Sequence, residues 1–267
     1  MDRDGGHCRK VAVVIEIYPG RLTLNKTVDD REIAARLSHV RPLMTLRDKI
    51  DPSRAALIVI DMQNDFCAVG GMMSTEGFDV SEAQKAASRL PTLLTAARSA
   101  GALVVFVRNV YSTSTELSSG SDNKPANMYL SDSWLEQAAR TRKGSYTRRQ
   151  VCTEGSWEGD FYGDVRPQRG EPVVTKHRYS AFHNTDLDSI LRAHGIRTIV
   201  LTGVATNVCV ETTAREGFVR DYYVVFVADG TATYSLEDHN STLRNIDRFF
   251  GEVTTIADII SVWSPLD

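Results

Sequence analysis

From residue 55 onward, short apolar runs rich in β-branched residues alternate with longer stretches whose apolar positions recur every three or four residues. The short runs are AALIVIDM (55–62), ALVVFVRN (102–109), EPVVTK (171–176), TIVLTGV (198–204) and YYVVFVAD (222–229). They are continuously apolar, as strands are when helices cover both faces of a parallel sheet. Between them, SEAQKAASRLPTLLTAARSAG (81–101) has helical spacing and a terminal glycine. DLDSILRAHGI (186–196) puts Leu187, Ile190 and Leu191 on one face before Gly195. VCVETTAREGF (208–218) follows a strand and a tight turn, so Cys209 is expected at or near a helix N-terminus. The pattern predicts βαβ units around a parallel core of five strands.

Two segments depart from this rhythm. Residues 112–160 include STSTELSSGSDNKPAN and suggest one short helix, around Ser133–Arg140. An irregular insertion of that length is usually functional, and a lid or rim over the site is expected. Residues 1–50 form an extension before the core domain of 51–267. Within it AVVIEIYPGRLTL (12–24) reads as a hairpin or a strand with a Pro-Gly turn, and DDREIAARL (29–37) as a short helix. The extension reads equally as a tail packed on its own subunit and as an arm reaching a neighbour.

The chain has 267 residues, 42% hydrophobic and 24% charged, as for one α/β domain with an appendage, and its formal net charge is −3. With no long Lys/Arg run, a nucleic-acid partner is not expected. No stretch approaches the roughly 18 apolar residues of a membrane span, and MDRDGGHCRK lacks a signal-like apolar core, so a soluble, cytoplasmic protein with no membrane partner is expected. Cys8, Cys67, Cys152 and Cys209 show no CxxC spacing and suggest free thiols in a reducing compartment.

Three strand ends carry candidate chemistry. GVATNVCVE (203–211) takes a buried strand through a turn of small residues into a helix within a few residues of Cys209. The helix dipole there favours thiolate, although a cysteine among apolar neighbours also reads as a small core residue. Asp61 follows ALIVI at the carboxyl edge, where open α/β sheets gather ligand-binding groups; its other reading is a helix cap. Lys176 ends EPVVTK at the same edge, or is a solvated strand-end lysine. Together they offer a base, a cation and a nucleophile to one crevice.

ALIVIDMQNDF, TKHRYSAFHNTDLDSILRAHGI and TGVATNVCVETTAREGF, in that order, resemble the three signature regions of the isochorismatase-like cysteine hydrolases, from about residue 55 to the end. The resemblance implies a three-layer α/β/α sandwich with a mainly parallel sheet and a Cys209–Asp61–Lys176 triad. It also implies a non-proline cis peptide at Val204–Ala205, with the N–H groups of Ala205 and Cys209 aimed at a developing oxyanion. Further similarity to ureidoacrylate amidohydrolases rests on GFDVS (77–81), GSW (155–157), the 178–196 region, GVATNVCVE and IDRFFGEV (246–253). By that similarity Asn109, Tyr111 and Tyr179 line the substrate pocket. Phe66 and Tyr111 stand where that group has other aromatics, and Arg148 falls near a position usually neutral and polar; its charge would suit a carboxylate.

Nicotinamidase-like relatives hold a metal with an Asp and two His between the first two strands, but this chain has no histidine between His39 and His177, so no such metal site and no cofactor are expected. His177, His183, His194 and His239 read as surface or capping residues, and no GxGxxG or GxxxxGK phosphate loop follows a strand. The expected activity is cysteine-dependent hydrolysis of a small ureido or primary amide substrate, of the ureidoacrylate type. Biuret, triuret and carbamoyl amino acids stay open as alternatives. A non-catalytic scaffold would be expected to lack one of the three residues, and all are present. Relatives imply a homodimer or homotetramer.

Overall fold

The computed structural model describes residues 11–17, 20–26, 36–37, 40, 42–110, 136 and 151–264. The helix read around Ser133–Arg140, most of the helix read at 29–37, and both Tyr111 and Arg148 lie outside the described residues. Strands β1 (Val11–Ile17) and β2 (Gly20–Lys26) form a separate antiparallel pair, with Val11 opposite Lys26 and Ile17 opposite Gly20.

The core begins with α1 (Leu46–Lys49) and β3 (Ala55–Ile60), then two one-turn helices, α2 (Asn64–Cys67) and α3 (Met72–Thr75). Helix α4 (Ser81–Ala100) leads to β4 (Leu103–Asn109), and β5 (Val173–Lys176) leads through α5 (Leu187–Ala193) to β6 (Thr198–Val204). A π-helical turn (Thr206–Val210) runs directly into α6 (Glu211–Val219). Then come β7 (Tyr223–Ala232), α7 (Leu236–Phe249), β8 (Glu252–Thr254) and α8 (Ile256–Trp263).

The sheet has six strands in the order β5-β4-β3-β6-β7-β8, every pair parallel. The sixth, β8, exceeds the five predicted because three residues are too few for a pattern to register. Strand alternation divides the core: Leu57, Val59, Val104, Phe106 and Val225 face α4 and α8, whereas Ile58, Ile60, Val105, Val107 and Leu201 face α5, α6 and α7. The result is the expected three-layer α/β/α sandwich. Gly101, at φ 76°, closes α4 in the left-handed conformation its position implied.

The strand order decides where a site can form. From β3 the chain steps outward to β4 and β5, then crosses back to lay β6 against the other side of β3. The connections leaving β3 and β6 therefore diverge and open a crevice at their carboxyl ends. At its edge Gly203 (φ 113°) lies so close to β3 that a Cβ would stand 1.9 Å from the Ile60 carbonyl oxygen. The glycine before the turn thus permits the close approach of β6 to β3.

Candidate functional site

Asp61, Asn109 and Lys176 end three neighbouring strands, and Cys209 lies in the π-helical turn after a fourth. Lys176 is opposite Asn109 in the ladder, two strands from Asp61, a span of about 10 Å between backbones. Its four-carbon stem bridges that gap beneath the end of β4. The Lys176 ammonium lies 2.7 Å from Asp61 Oδ2 and 3.5 Å from Cys209 Sγ, and donates to the Arg178 carbonyl at 3.0 Å. The Asp61 and Lys176 side chains are 1% and 0% exposed, and Cys209 as a residue is 7% exposed. Asp61 has a positive φ of 52°; it turns its carboxylate inward and caps no helix, since the cap of α2 is Gln63.

These charges set one another's protonation. Burial pushes the Asp61 carboxyl upward against the pull of the Lys176 charge and hydrogen bonds from Lys176 and Cys209. Burial pulls on Lys176 in the opposite sense, but Asp61 and Cys209 outweigh it and the ammonium is retained. The Cys209 thiol is pushed up to about 12 by burial, with the Asp61 charge adding to it and Lys176 opposing it. The helix terminus therefore does not decide the resting state of the thiol. Desolvation does, and it leaves a neutral thiol that needs a base.

Beside the group opens a cavity of about 380 Å³, lined by Asp61, Cys209, Val204, Ala205, Asn207 and Val208 together with the larger side chains of Phe66, Met73, Phe78, Tyr179 and Tyr234. Of the substrate-shell residues anticipated from sequence, Phe66, Asn109 and Tyr179 line it. The Val204–Ala205 peptide is cis. Asn109 is held from behind: its N–H donates to Gln63 Oε1 at 2.7 Å, and Gln63 Nε2 donates to the carbonyls of Asn109 (2.9 Å) and Gly159 (2.8 Å). Asn109 is 3% exposed, and its Oδ1 has no hydrogen-bond partner among the described residues. Asp65 accepts from the N–H groups of Met72 (2.9 Å) and Cys152 (2.7 Å), tying the segment after β3 to the chain at 152.

Several contributors were not singled out from sequence. Gln63 and Asp65 lie within DMQNDF, where polar residues directly after a buried strand were the available signal. Thr233, Tyr234 and Ser235 line the cavity from the β7–α7 corner, which carries no periodic pattern, and Asp238 from the first turn of α7. One reading needs correction: His239 is neither a surface nor a capping residue. It is 8% exposed, and its Nδ1 lies 2.9 Å from Thr206 Oγ1. His194, by contrast, is exposed and caps α5. Among the described residues, no three His, Cys, Asp or Glu side chains gather as a metal-binding group, and no helix is long and apolar enough to cross a membrane.

The chain has known relatives in both sequence and fold. The family model described as "Isochorismatase domain" matches residues 55–258. The ureidoacrylate amidohydrolase RutB of Variovorax paradoxus (strain S110) is 38% identical over 216 residues, 80% of this chain and 82% of that protein. A cysteine hydrolase from Pseudomonas syringae pv. phaseolicola 1448A superposes with a TM-score of 0.66 at 30% identity, over 84% of this chain and 97% of the other. N-carbamoylsarcosine amidase from Thermoplasma acidophilum gives 0.56 at 25% identity, over 76% and 96%.

Proposed function

The chain belongs to the isochorismatase domain family, and within it we propose a cysteine-dependent amidohydrolase that releases ammonia from a small ureido or primary amide substrate of the ureidoacrylate type. The observation that carries the reading is the buried Lys176 ammonium, 2.7 Å from Asp61 and 3.5 Å from Cys209 Sγ, at the floor of a cavity large enough for such a substrate.

Asp61 accepts the thiol proton while Lys176 favours the anionic sulfur, which attacks the carbonyl carbon. The carbonyl oxygen becomes an oxyanion facing the N–H groups of Ala205 and Cys209; each such donor is typically worth about 3 kcal/mol. As the tetrahedral species collapses, the C–N bond breaks and the nitrogen leaves as ammonia with the proton from Asp61. The resulting thioester is hydrolysed by water that Asp61 deprotonates, and the proton returns to sulfur. A ureido substrate would leave as a carbamate, which loses carbon dioxide unaided to give the free amine, an aminoacrylate in the case of ureidoacrylate. Because Asp61 must begin as carboxylate and its pKa is raised, activity should climb as pH rises through that raised value, above the ordinary 3.8.

Similarity to RutB favours a ureido acid. Similarity to N-carbamoylsarcosine amidase favours a carbamoyl amino acid as the second candidate, processed by the same three residues. Asn109 Oδ1, buried at the cavity wall and lacking a donor among the described residues, suits the N–H groups that both substrates carry.

The test is ammonia release by purified protein, with a chelator present, from ureidoacrylate, biuret, N-carbamoyl amino acids, maleamate and nicotinamide, with Cys209→Ala as control. Chelator-resistant release from a ureido acid, absent in the variant, is the expected result. Release from another amide alone would keep the triad and replace the substrate. Silence across the panel from folded protein would overturn the assignment.

A further inference from the structure

The turn that carries Cys209 is gripped from outside its own backbone. Within it, the N–H groups of Val208 and Val210 donate to the Ala205 carbonyl at 3.0 and 3.2 Å, and the Glu211 N–H reaches the Thr206 and Val208 carbonyls. The side chains of its first two residues point the other way, to the β7–α7 corner. Thr206 Oγ1 lies 2.9 Å from His239 Nδ1, and Thr233 Oγ1 donates to Asn207 Oδ1 at 2.7 Å. One turn further on, Glu211 accepts from Thr242 Oγ1 at 2.6 Å and Asn245 Nδ2 at 3.3 Å. His239, Thr242 and Asn245 are three residues apart, so one face of α7 supplies three of these four grips.

The grips differ in their relation to the reaction. Asn207 and Thr233 line the cavity and would meet a substrate directly. Thr206 and His239 are buried behind it, and His239 is absent from the cavity wall. Short π-helical segments occur frequently at functional sites, and a reactive group needs placement to within about 0.5 Å by a locked supporting shell.

We infer that His239 is a positioning residue for Cys209: through the Thr206 hydroxyl it fixes the turn that sets where the thiol and its neighbouring backbone N–H groups face the cavity. This rests on the hydrolase reading above. It adds a residue that touches neither substrate nor sulfur.

Thr206→Val keeps the side-chain shape and removes the hydroxyl, Thr206→Ser keeps the hydroxyl, and His239→Gln removes the ring. Each is assayed for kcat and KM on whichever amide the panel identifies. The rate of iodoacetamide alkylation at Cys209 is followed against pH, with the label mapped to the Cys209 peptide. The expected result for Thr206→Val is a kcat lowered about 10- to 100-fold with KM little changed, as for a small misplacement of reacting groups. Its Cys209 alkylation profile should shift from wild type, Thr206→Ser should stay near wild type on both readouts, and Thr206→Val/His239→Gln should be no worse than the poorer single variant.

A folded Thr206→Val with wild-type kcat and alkylation profile would overturn the inference, as would additive effects in the double variant. If no amide is turned over, the hydrolase reading fails, and the alkylation profiles alone still decide whether His239 and Thr206 position the thiol.

Discussion

The Lys176 ammonium and the Asp61 carboxylate lie 2.7 Å apart with side-chain exposures of 0% and 1%, although their strands are not neighbours and β4 lies between them. A buried ion pair of this kind is poor evidence of stabilisation, because removing both charges from water costs about what their attraction returns. Its presence at the floor of a cavity, in contact with a thiol, points to chemistry instead.

Single removal of either partner should therefore damage the fold as well as activity. Lys176→Gln leaves a buried carboxylate without its cation, and Asp61→Asn leaves a buried ammonium without its anion. Each should cost about 3–5 kcal/mol in urea unfolding. The double variant Asp61→Asn/Lys176→Gln should recover a substantial part of that loss while all three remain inactive. Full additivity would show that the pair is not coupled.

Asn109→Leu should separate stability from activity in the opposite way. The Oδ1 atom is buried with no hydrogen-bond partner among the described residues, so replacing the side chain by an apolar one of similar size relieves an unsatisfied acceptor. The backbone bonds between residue 109 and Gln63 remain. Thermal stability should hold or rise while kcat/KM falls by roughly tenfold or more, the value of about one hydrogen bond to a reacting substrate. Unchanged kcat/KM would remove Asn109 from the substrate shell.

His239 should leave a signature in the dependence of stability on pH. Burial holds its pKa down to about 4 from 6.5, with Glu82 opposing weakly. Glu82, Arg89 and Asp229 are the charged groups sharing its small cavity. Between those two values the unfolded chain binds a proton that the folded one does not. The contribution is therefore fully present above pH 6.5 and is lost as pH falls towards 4, by up to about 3 kcal/mol. Asp61 acts with the opposite sign because its pKa is raised, so the useful quantity is the difference between wild type and His239→Gln in urea midpoints measured from pH 7 to pH 4. That difference should shrink on acidification, and a constant one would rule out a buried neutral imidazole.

The three residues at the centre of the site were legible in the sequence because each ends a strand whose apolar run is long enough to locate. A polar residue directly after ALIVI or EPVVT has few structural reasons to be there, and GVATNVCVE adds a strand-to-helix junction around a cysteine. The layer architecture was legible for the same reason, since continuous apolar runs separated by amphipathic helices admit few arrangements. The strand β8 was not, being too short to show a period.

What the sequence alone determined, then, was the set of strands, the residues at their carboxyl ends and the family they resemble. Tertiary structure alone decided which of those ends meet. Lys176 reaches Asp61 only because β5 lies two places from β3 and the side chain is long enough to pass β4, and strand order is not encoded in any local run. Protonation was decided there too, since burial rather than the helix terminus fixes the resting thiol. So was the setting of His239, which local pattern reads as a surface residue until α7 folds across the turn and places its ring against Thr206, 33 residues away in sequence. Periodicity reports which face of an element is buried; contact between distant elements depends on how the whole sheet is ordered and covered.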